Sequence, residues 1–251
     1  MTVNNDKRSL SAAFYMAVCD DLIRKNPFNF QLDSVIEDTT ESKVPLTREQ
    51  ENSLLDFIQS DKNYKKHYNE FIILLGSGLR ISELCGLTVK DINFDERKII
   101  VDHQLLKRSG KDFYIETPKT ESGVREIPMS KTVREAFQRV LENHIDSGFT
   151  IDGYNNFLFC TGSGRPKTAL DYEAMFRRVA AKYNKCHEEL LPKIFTPHVL
   201  RHTFCTNMAN AGMNPKALQY IMGHKNITMT LNYYAHATYN SAKEEMERLT
   251  A

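Results

Sequence analysis

Residues 198–236 read HVLRHTFCTNMANAGMNPKALQYIMGHKNITMTLNYYAH. The stretch opens with His198, Arg201 and His202, and closes with Gly223-His224 followed by the pair Tyr233 and Tyr234. A helix starting near Pro197 puts His198, Arg201 and His202 on one face, because side chains three and four apart are neighbours on a helix. Ala211 to Pro215 breaks one helix and starts another, and Met222-Gly223-His224 is a helix stop. Short helices therefore turn two histidines, an arginine and a phenol back toward one another. Guanidinium meets phosphate oxygens in a fork, imidazole carries protons and a phenol can attack. The grouping predicts chemistry on a phosphate.

Upstream the pattern is largely helical. Leu10 to Ile23 has apolar residues three and four apart and predicts an amphipathic helix stopped by Asn26-Pro27. Residues 28–45, rich in Asp, Glu, Thr and Ser, read as a linker. Thr47 with Gln50 three residues on is a capping box, opening helices over about 48–60 and 63–78. Gly76-Ser77-Gly78 ends the second helix and delivers Arg80 onto a short one, for which Ser82 is a candidate cap. The period then changes. Residues 98–103, 112–116 and 124–128 are short, β-branched or aromatic, and separated by polar turns. From Ser130 the chain is helical again, interrupted by the loop 154–167. The expected fold class is mainly α with a small three-stranded antiparallel β-sheet.

Composition bounds the function. A hydrophobic fraction of 41% and a charged fraction of 26% over 251 residues are those of an ordinary globular chain. No apolar run approaches a membrane span, and the first residues lack an apolar signal core, so the expected location is cytoplasmic with no membrane partner. Five cysteines without a CxxC pair argue against both a disulfide framework and a zinc cluster. Net charge is only +1, but Lys and Arg outnumber Asp and Glu nine to five over 97–134 and eight to four over 165–201. Such local excess suits a phosphate-binding surface.

HVLRH, MGH and YYAH resemble the C-terminal signature of the tyrosine recombinases, the phage integrase family. GSGLRISELCGL (76–87) resembles that family's first arginine motif, and TPKTESGVREIP (117–128) its lysine-bearing hairpin. These separated motifs, in register, cover roughly Leu46 to His236. The chain looks most like integrases of phages and conjugative transposons of Gram-positive bacteria. The resemblance implies that residues 46–240 are the catalytic domain of the tyrosine-recombinase fold. It makes 1–27 the C-terminal helix of a truncated core-binding domain, 28–45 a linker, and 241–251 a tail helix that can dock on a neighbouring protomer.

By the same resemblance Arg80 and Arg201 clamp the non-bridging oxygens and Glu83 orients Arg80. His198 is a base or proton shuttle, His224 a hydrogen-bond partner of the phosphate, and Lys119 the acid for the departing 5′ oxygen. Tyr-x-His is common at the nucleophile, which assigns attack to Tyr234 rather than Tyr233; His202 matches no catalytic position and is structural. Lys107, Arg108, Lys111, Arg165 and Lys167 are expected on the DNA backbone. The implied activity is site-specific cleavage and rejoining of DNA, the integration or excision of a mobile element, through a 3′-phosphotyrosyl intermediate. No metal and no cofactor is expected, because arginines carry the charge a divalent ion would otherwise carry. Partners would be double-stranded DNA at recombination sites, further copies of the chain (dimer to tetramer on DNA) and a small accessory excision protein. A type IB topoisomerase, a non-enzymatic DNA-binding protein and a metal-dependent nuclease are the rivals. Strand exchange, a covalent adduct and indifference to EDTA separate them from the recombinase in turn.

Overall fold

The chain divides into two units, Met1–Ser42 and Lys43–Ala251. The computed structural model describes residues 3–32, 35, 44–107, 112–118, 123–234 and 246. Lys119, Arg108, Lys111 and the 241–251 tail apart from Met246 lie outside these. In the first unit, helix α1 (Val3–Cys19) buries none of its residues. It begins earlier than the apolar pattern predicts and ends before Asn26-Pro27, where Asp21 takes a left-handed conformation. Phe14 packs on Phe28 at 5.2 Å and the Asn26 amide donates to the Ser11 carbonyl at 2.8 Å, folding the chain after the helix back along it.

The second unit opens on α2 (Arg48–Ser60). Its capping box forms as the sequence predicts: Thr47 Oγ1 accepts from the Gln50 N–H and Gln50 Oε1 from the Thr47 N–H, both at 3.1 Å. A short 3-10 turn leads into α3 (Tyr68–Ser77), whose residues from Glu70 to Leu75 are all buried. A helix apolar on every side belongs inside a core, and α3 packs against the later helices α5 (Lys131–Glu142) and α7 (Pro197–Asn210). Phe71 stacks on Phe176 of α6 (Ala169–Tyr183) at 4.7 Å, and Phe176 on Phe195 at 5.1 Å. The helix ends at Gly78, with φ 65°. A Cβ there would be strained by that φ and would meet the Phe204 ring at 2.5 Å, so only glycine fits. Arg80 is the N-cap residue of α4 (Ile81–Gly86), and its backbone N–H donates to Glu83 Oε2 at 2.7 Å. Ser82 lies inside α4, its hydroxyl on Gln104 Oε1, and does not cap it.

The three-stranded antiparallel sheet is built from β1 (Ile92–Asn93), β2 (Lys98–Val101) and β5 (Arg125–Pro128), with β2 in the middle. Between them β3 (Gln104–Lys107) and β4 (Phe113–Glu116) form a separate two-stranded hairpin. The 112–116 segment therefore belongs to that hairpin and not to the sheet. The strand β1 is too short to show an alternation, and the Leu-Leu pair in β3 has no alternation either, which is why the sequence pattern joins three segments that the fold divides. A second short hairpin pairs β6 (Thr150–Ile151) with β7 (Tyr154–Asn155). After α7 come α8 (Pro215–Met222) and α9 (Thr228–Leu231). Their small core of Phe204, Cys205, Ala209, Leu218 and Met222 has Tyr233 and Tyr234 packed against it. Among the described residues no helix is long and apolar enough to cross a membrane.

Candidate active site

The end of α8 organises the site. Gly223 adopts φ 60° and closes the helix in the left-handed conformation, leaving its last carbonyls without helical donors. Three guanidinium groups from three different elements fill them. Arg125 Nε on β5 donates to the Ile221 carbonyl at 2.6 Å, Arg201 Nη2 on α7 to that of Met222, and Arg80 Nη2 to that of Gly223 at 2.8 Å. Consecutive carbonyls thus hold three arginines, and the negative end of the helix dipole offsets part of their charge. Arg201 also donates to the Gly78 carbonyl at 2.5 Å, tying α7 to the end of α3.

Glu83 is the counter-charge. It accepts from the Arg80 N–H and Nη1, both at 2.7 Å, and from Arg125 Nη1 and Nη2 at 3.0 and 2.8 Å. Burial alone would raise its carboxyl; the Arg125 hydrogen bonds and charge, with help from Arg80 and Arg201, more than reverse this and hold it at about 2. Three guanidinium charges against one carboxylate leave two positive charges in excess. Arg201 feels that excess: burial, then Arg80, push it down to about 9, still charged at neutral pH. A buried surplus of this kind is stabilised by an anion. Arg125 and Arg201 are only 2% and 4% exposed, while the Arg80 side chain is 36% exposed, so Arg80 is the most open edge of the cluster.

His224 follows directly. Its Nδ1 lies 2.9 Å from the hydroxyl of buried Thr230. Burial, and after it the charges of Arg201 and Arg80, lower its pKa to about 4. The ring is therefore neutral at physiological pH. In the tautomer whose Nδ1 accepts from Thr230, the ring proton sits on Nε2, ready to be donated. The shift has a stability consequence. An unfolded imidazole titrates near 6.5, so between that value and about 4 only the unfolded chain takes the proton. Stability is lost as pH falls through that window, by about 2 kcal/mol at pH 4.5. Urea unfolding at pH 7.5 and 4.5 should show this loss in the wild type and lack this component in His224→Gln; identical pH dependence in both would remove His224 as its source.

The other predicted residues are placed as follows. His198 is exposed on α7, its ring edge-on to His202 at 4.7 Å. His202 in turn holds the Tyr233 hydroxyl through Nδ1, and the Tyr234 hydroxyl donates to the Met213 carbonyl. Among the described residues, neither phenol is hydrogen-bonded to an arginine. Burial pushes Tyr233 up to about 12 and raises Tyr234 as well; Arg201 pulls only Tyr233 back. Lys107 is exposed at the end of β3, with Nζ 5.1 Å from the Phe113 ring centre. Arg165 is paired in a fork with Asp171 at 2.8 and 2.7 Å, and Lys167 with buried Glu70 at 2.7 Å, so both cations already have carboxylate partners. The residue that sequence reasoning missed is Arg125. It sits in β5 opposite Val101, on the same buried side of the sheet as Ile127. An arginine at an inward strand position is the signal that could have found it.

The chain is similar to known proteins over most of its length. The phage integrase family model matches residues 45–241. The chain is 58% identical over 249 residues to the transposase of transposon Tn916 from Enterococcus faecalis, and to that of transposon Tn1545 from Streptococcus pneumoniae. Each match covers 99% of this chain and 61% of the relative, so the chain spans less than two thirds of their length. Among solved structures, the Tn1549 transposon integrase in complex with a circular intermediate DNA superposes with a TM-score of 0.93 at 66% identity, over 98% of this chain and 78% of that one. The XerA recombinase crystal structure shares the fold at 21% identity, with a TM-score of 0.58 over all of this chain and 77% of that one. With a family match across most of its length and an arginine site built from the motifs that suggested it, this chain belongs to the phage integrase family, the tyrosine recombinases.

Proposed function

We propose that this chain is a site-specific DNA recombinase that integrates or excises a mobile element. The observation that carries the reading is the surplus of two positive charges on three guanidinium groups at the α8 terminus, with a neutral His224 beside them. Such a site complements a phosphate whose non-bridging oxygens gain charge as phosphorus becomes five-coordinate. Tyr234 attacks the DNA phosphate, forming a P–O bond to the phenol and breaking the bond to the 5′ oxygen. The phenolic proton passes to His198, and Lys119 protonates the departing oxygen. The 5′-hydroxyl of a partner strand then attacks the phosphotyrosine and frees the phenol. One ester replaces another at each step, so no ATP is consumed, and the arginines hold the charge that a divalent ion would otherwise hold.

Two structures of the Tn1549 integrase carry one substitution each, Arg to Lys and Tyr to Phe, 154 residues apart. Arg80 and Tyr234 are separated by the same 154 residues, and Arg80 and Tyr233 by 153, which supports Tyr234 as nucleophile. That integrase was solved with circular intermediate and transposon right end DNA, which supports the ends of a mobile element as substrate here. Lys107, Arg108, Lys111, Arg165 and Lys167 are read as backbone contacts, the last two by exchanging their carboxylates for phosphates. Residues 46–240 are read as the catalytic domain, α1 as a helix of a core-binding domain, and residues 28–45 as the linker between them. The 241–251 tail docks on a neighbouring copy in a dimer or tetramer on DNA. A small accessory protein biases excision, and the reaction takes place in the cytoplasm.

The test is a nicked substrate from which the cleaved end diffuses away. Incubation should trap the protein covalently on DNA, equally with and without EDTA, and two intact sites should yield exchanged strands. No adduct, or one that EDTA abolishes, would sink the proposal. Relaxation of supercoils without exchange would make the chain a topoisomerase.

A further inference from the structure

Arg125 makes more contacts in the arginine cluster than the chemistry assigns to it. All three of its donor nitrogens are used: Nε on the Ile221 carbonyl at 2.6 Å, Nη1 on Glu83 and the Gly123 carbonyl at 3.0 and 3.1 Å, Nη2 on Glu83 at 2.8 Å. Four of its N–H groups are spent on protein acceptors and its side chain is enclosed, whereas the Arg80 side chain is one-third exposed. Its position is fixed from the strand side too, since β5 pairs with β2 in strict register and sets Arg125 beside Val101. Every contact faces a part of the site: the carboxylate that holds Arg80, the end of α8 that precedes His224, and the backbone just after the segment carrying Lys119.

We propose that Arg125 is a positioning residue of the phosphate site, aiming Arg80 by clamping Glu83 against the C-terminal carbonyls of α8. The inference rests on the recombinase reading above. Glu83 accepts four hydrogen bonds, two from Arg80 and two from Arg125, so its carboxylate plane is set by the second arginine and presented to the first. Without Arg125 the Glu83 carboxylate can rotate, and the Arg80 guanidinium, one-third exposed, follows it away from the phosphate. A lysine at this place keeps the charge but cannot span Glu83, Ile221 and Gly123 at once.

The test is single-turnover adduct formation on the nicked substrate, with either a normal phosphodiester or a methylphosphonate at the cleavage position. A misplacement of about 1 Å in a clamping group costs on the order of 10²-fold, which is the loss expected for Arg125→Lys on the phosphodiester. The methylphosphonate carries no charge for Arg80 to neutralise, so the loss there should shrink to less than about tenfold. Because Arg125 acts through Arg80, Arg80→Ala combined with Arg125→Lys should be no slower than Arg80→Ala alone. Glu83→Gln should reproduce the same pattern and serves as the second variant should Arg125→Lys fail to fold, as judged by circular dichroism. Equal losses on both substrates, or losses that add fully to those of Arg80→Ala, would make Arg125 merely a strut and overturn the proposal. So would an Arg125→Lys rate equal to the wild type. A wild-type protein that forms no adduct at all would instead overturn the recombinase reading and take the positioning role down with it.

Discussion

Tyr234→Phe is expected to lower covalent adduct formation by on the order of 10⁵-fold while leaving DNA affinity within about twofold, because only the attacking oxygen is removed. Tyr233→Phe should retain both binding and most of the adduct. The contrast is demanding because the static arrangement favours the other residue. Tyr233 shares a hydrogen bond with an imidazole, the partner a nucleophile wants, whereas Tyr234 donates to the Met213 carbonyl, which cannot take a proton. The two hydroxyls are held on different partners, His202 and the Met213 carbonyl, so the phenols point in different directions just beyond α9. For Tyr234 to attack, the chain after α9 must turn it off Met213, and the positive surplus must then lower a phenol pKa that burial now raises. Denaturing gels of adducts on the nicked substrate, alongside gel shifts under native conditions, make the comparison. An adduct that survives in Tyr234→Phe and disappears in Tyr233→Phe would hand the attack to Tyr233, with His202 as its base.

What the sequence makes legible is whatever depends on neighbours along the chain. The Thr47–Gln50 box, the stops at Gly78 and Gly223 and the common face of His198 and His202 are all local, and each needs only residues within four positions. The Arg80–Glu83 pair was legible for the same reason. Features that depend on pairing were not. Two-residue β1 carries no period, and β3 pairs with β4 through residues that look like any polar turn with two leucines. Arg125 is one of nine basic residues between 97 and 134, and its inward direction appears only once β5 is placed against β2. That three carbonyls in succession would each receive a guanidinium from a different element could not be read at all, because it is a property of where α8 ends in space. The two tyrosines mark a further limit. Their spacing was readable, but their hydroxyl partners, His202 and Met213, are set by the packing of a small core around Phe204 and Leu218.

Arg201→Lys should reduce adduct formation by on the order of 10³-fold with little loss of stability. The buried guanidinium spans the Gly78 and Met222 carbonyls and presents its remaining face to the cluster; a lysine ammonium has no planar fork and can satisfy one carbonyl only at the expense of the other. Leaving one buried carbonyl unpaired costs about 1–3 kcal/mol. Against that, Arg201 is itself under strain from burial and from Arg80, the causes that push its pKa down to about 9. A more compact charge set back from Arg80 relieves part of that repulsion. The two terms oppose each other, so the melting temperature should move by only a few degrees while the rate collapses. This separation distinguishes a group held for chemistry from one held for folding. Single-turnover adduct formation and thermal unfolding on the same preparation measure both. A rate within tenfold of the wild type would move charge neutralisation onto Arg80. A rate loss matched by a fall in melting temperature large enough to unfold the protein at assay temperature would make Arg201 a structural tie between α7, Gly78 and the end of α8.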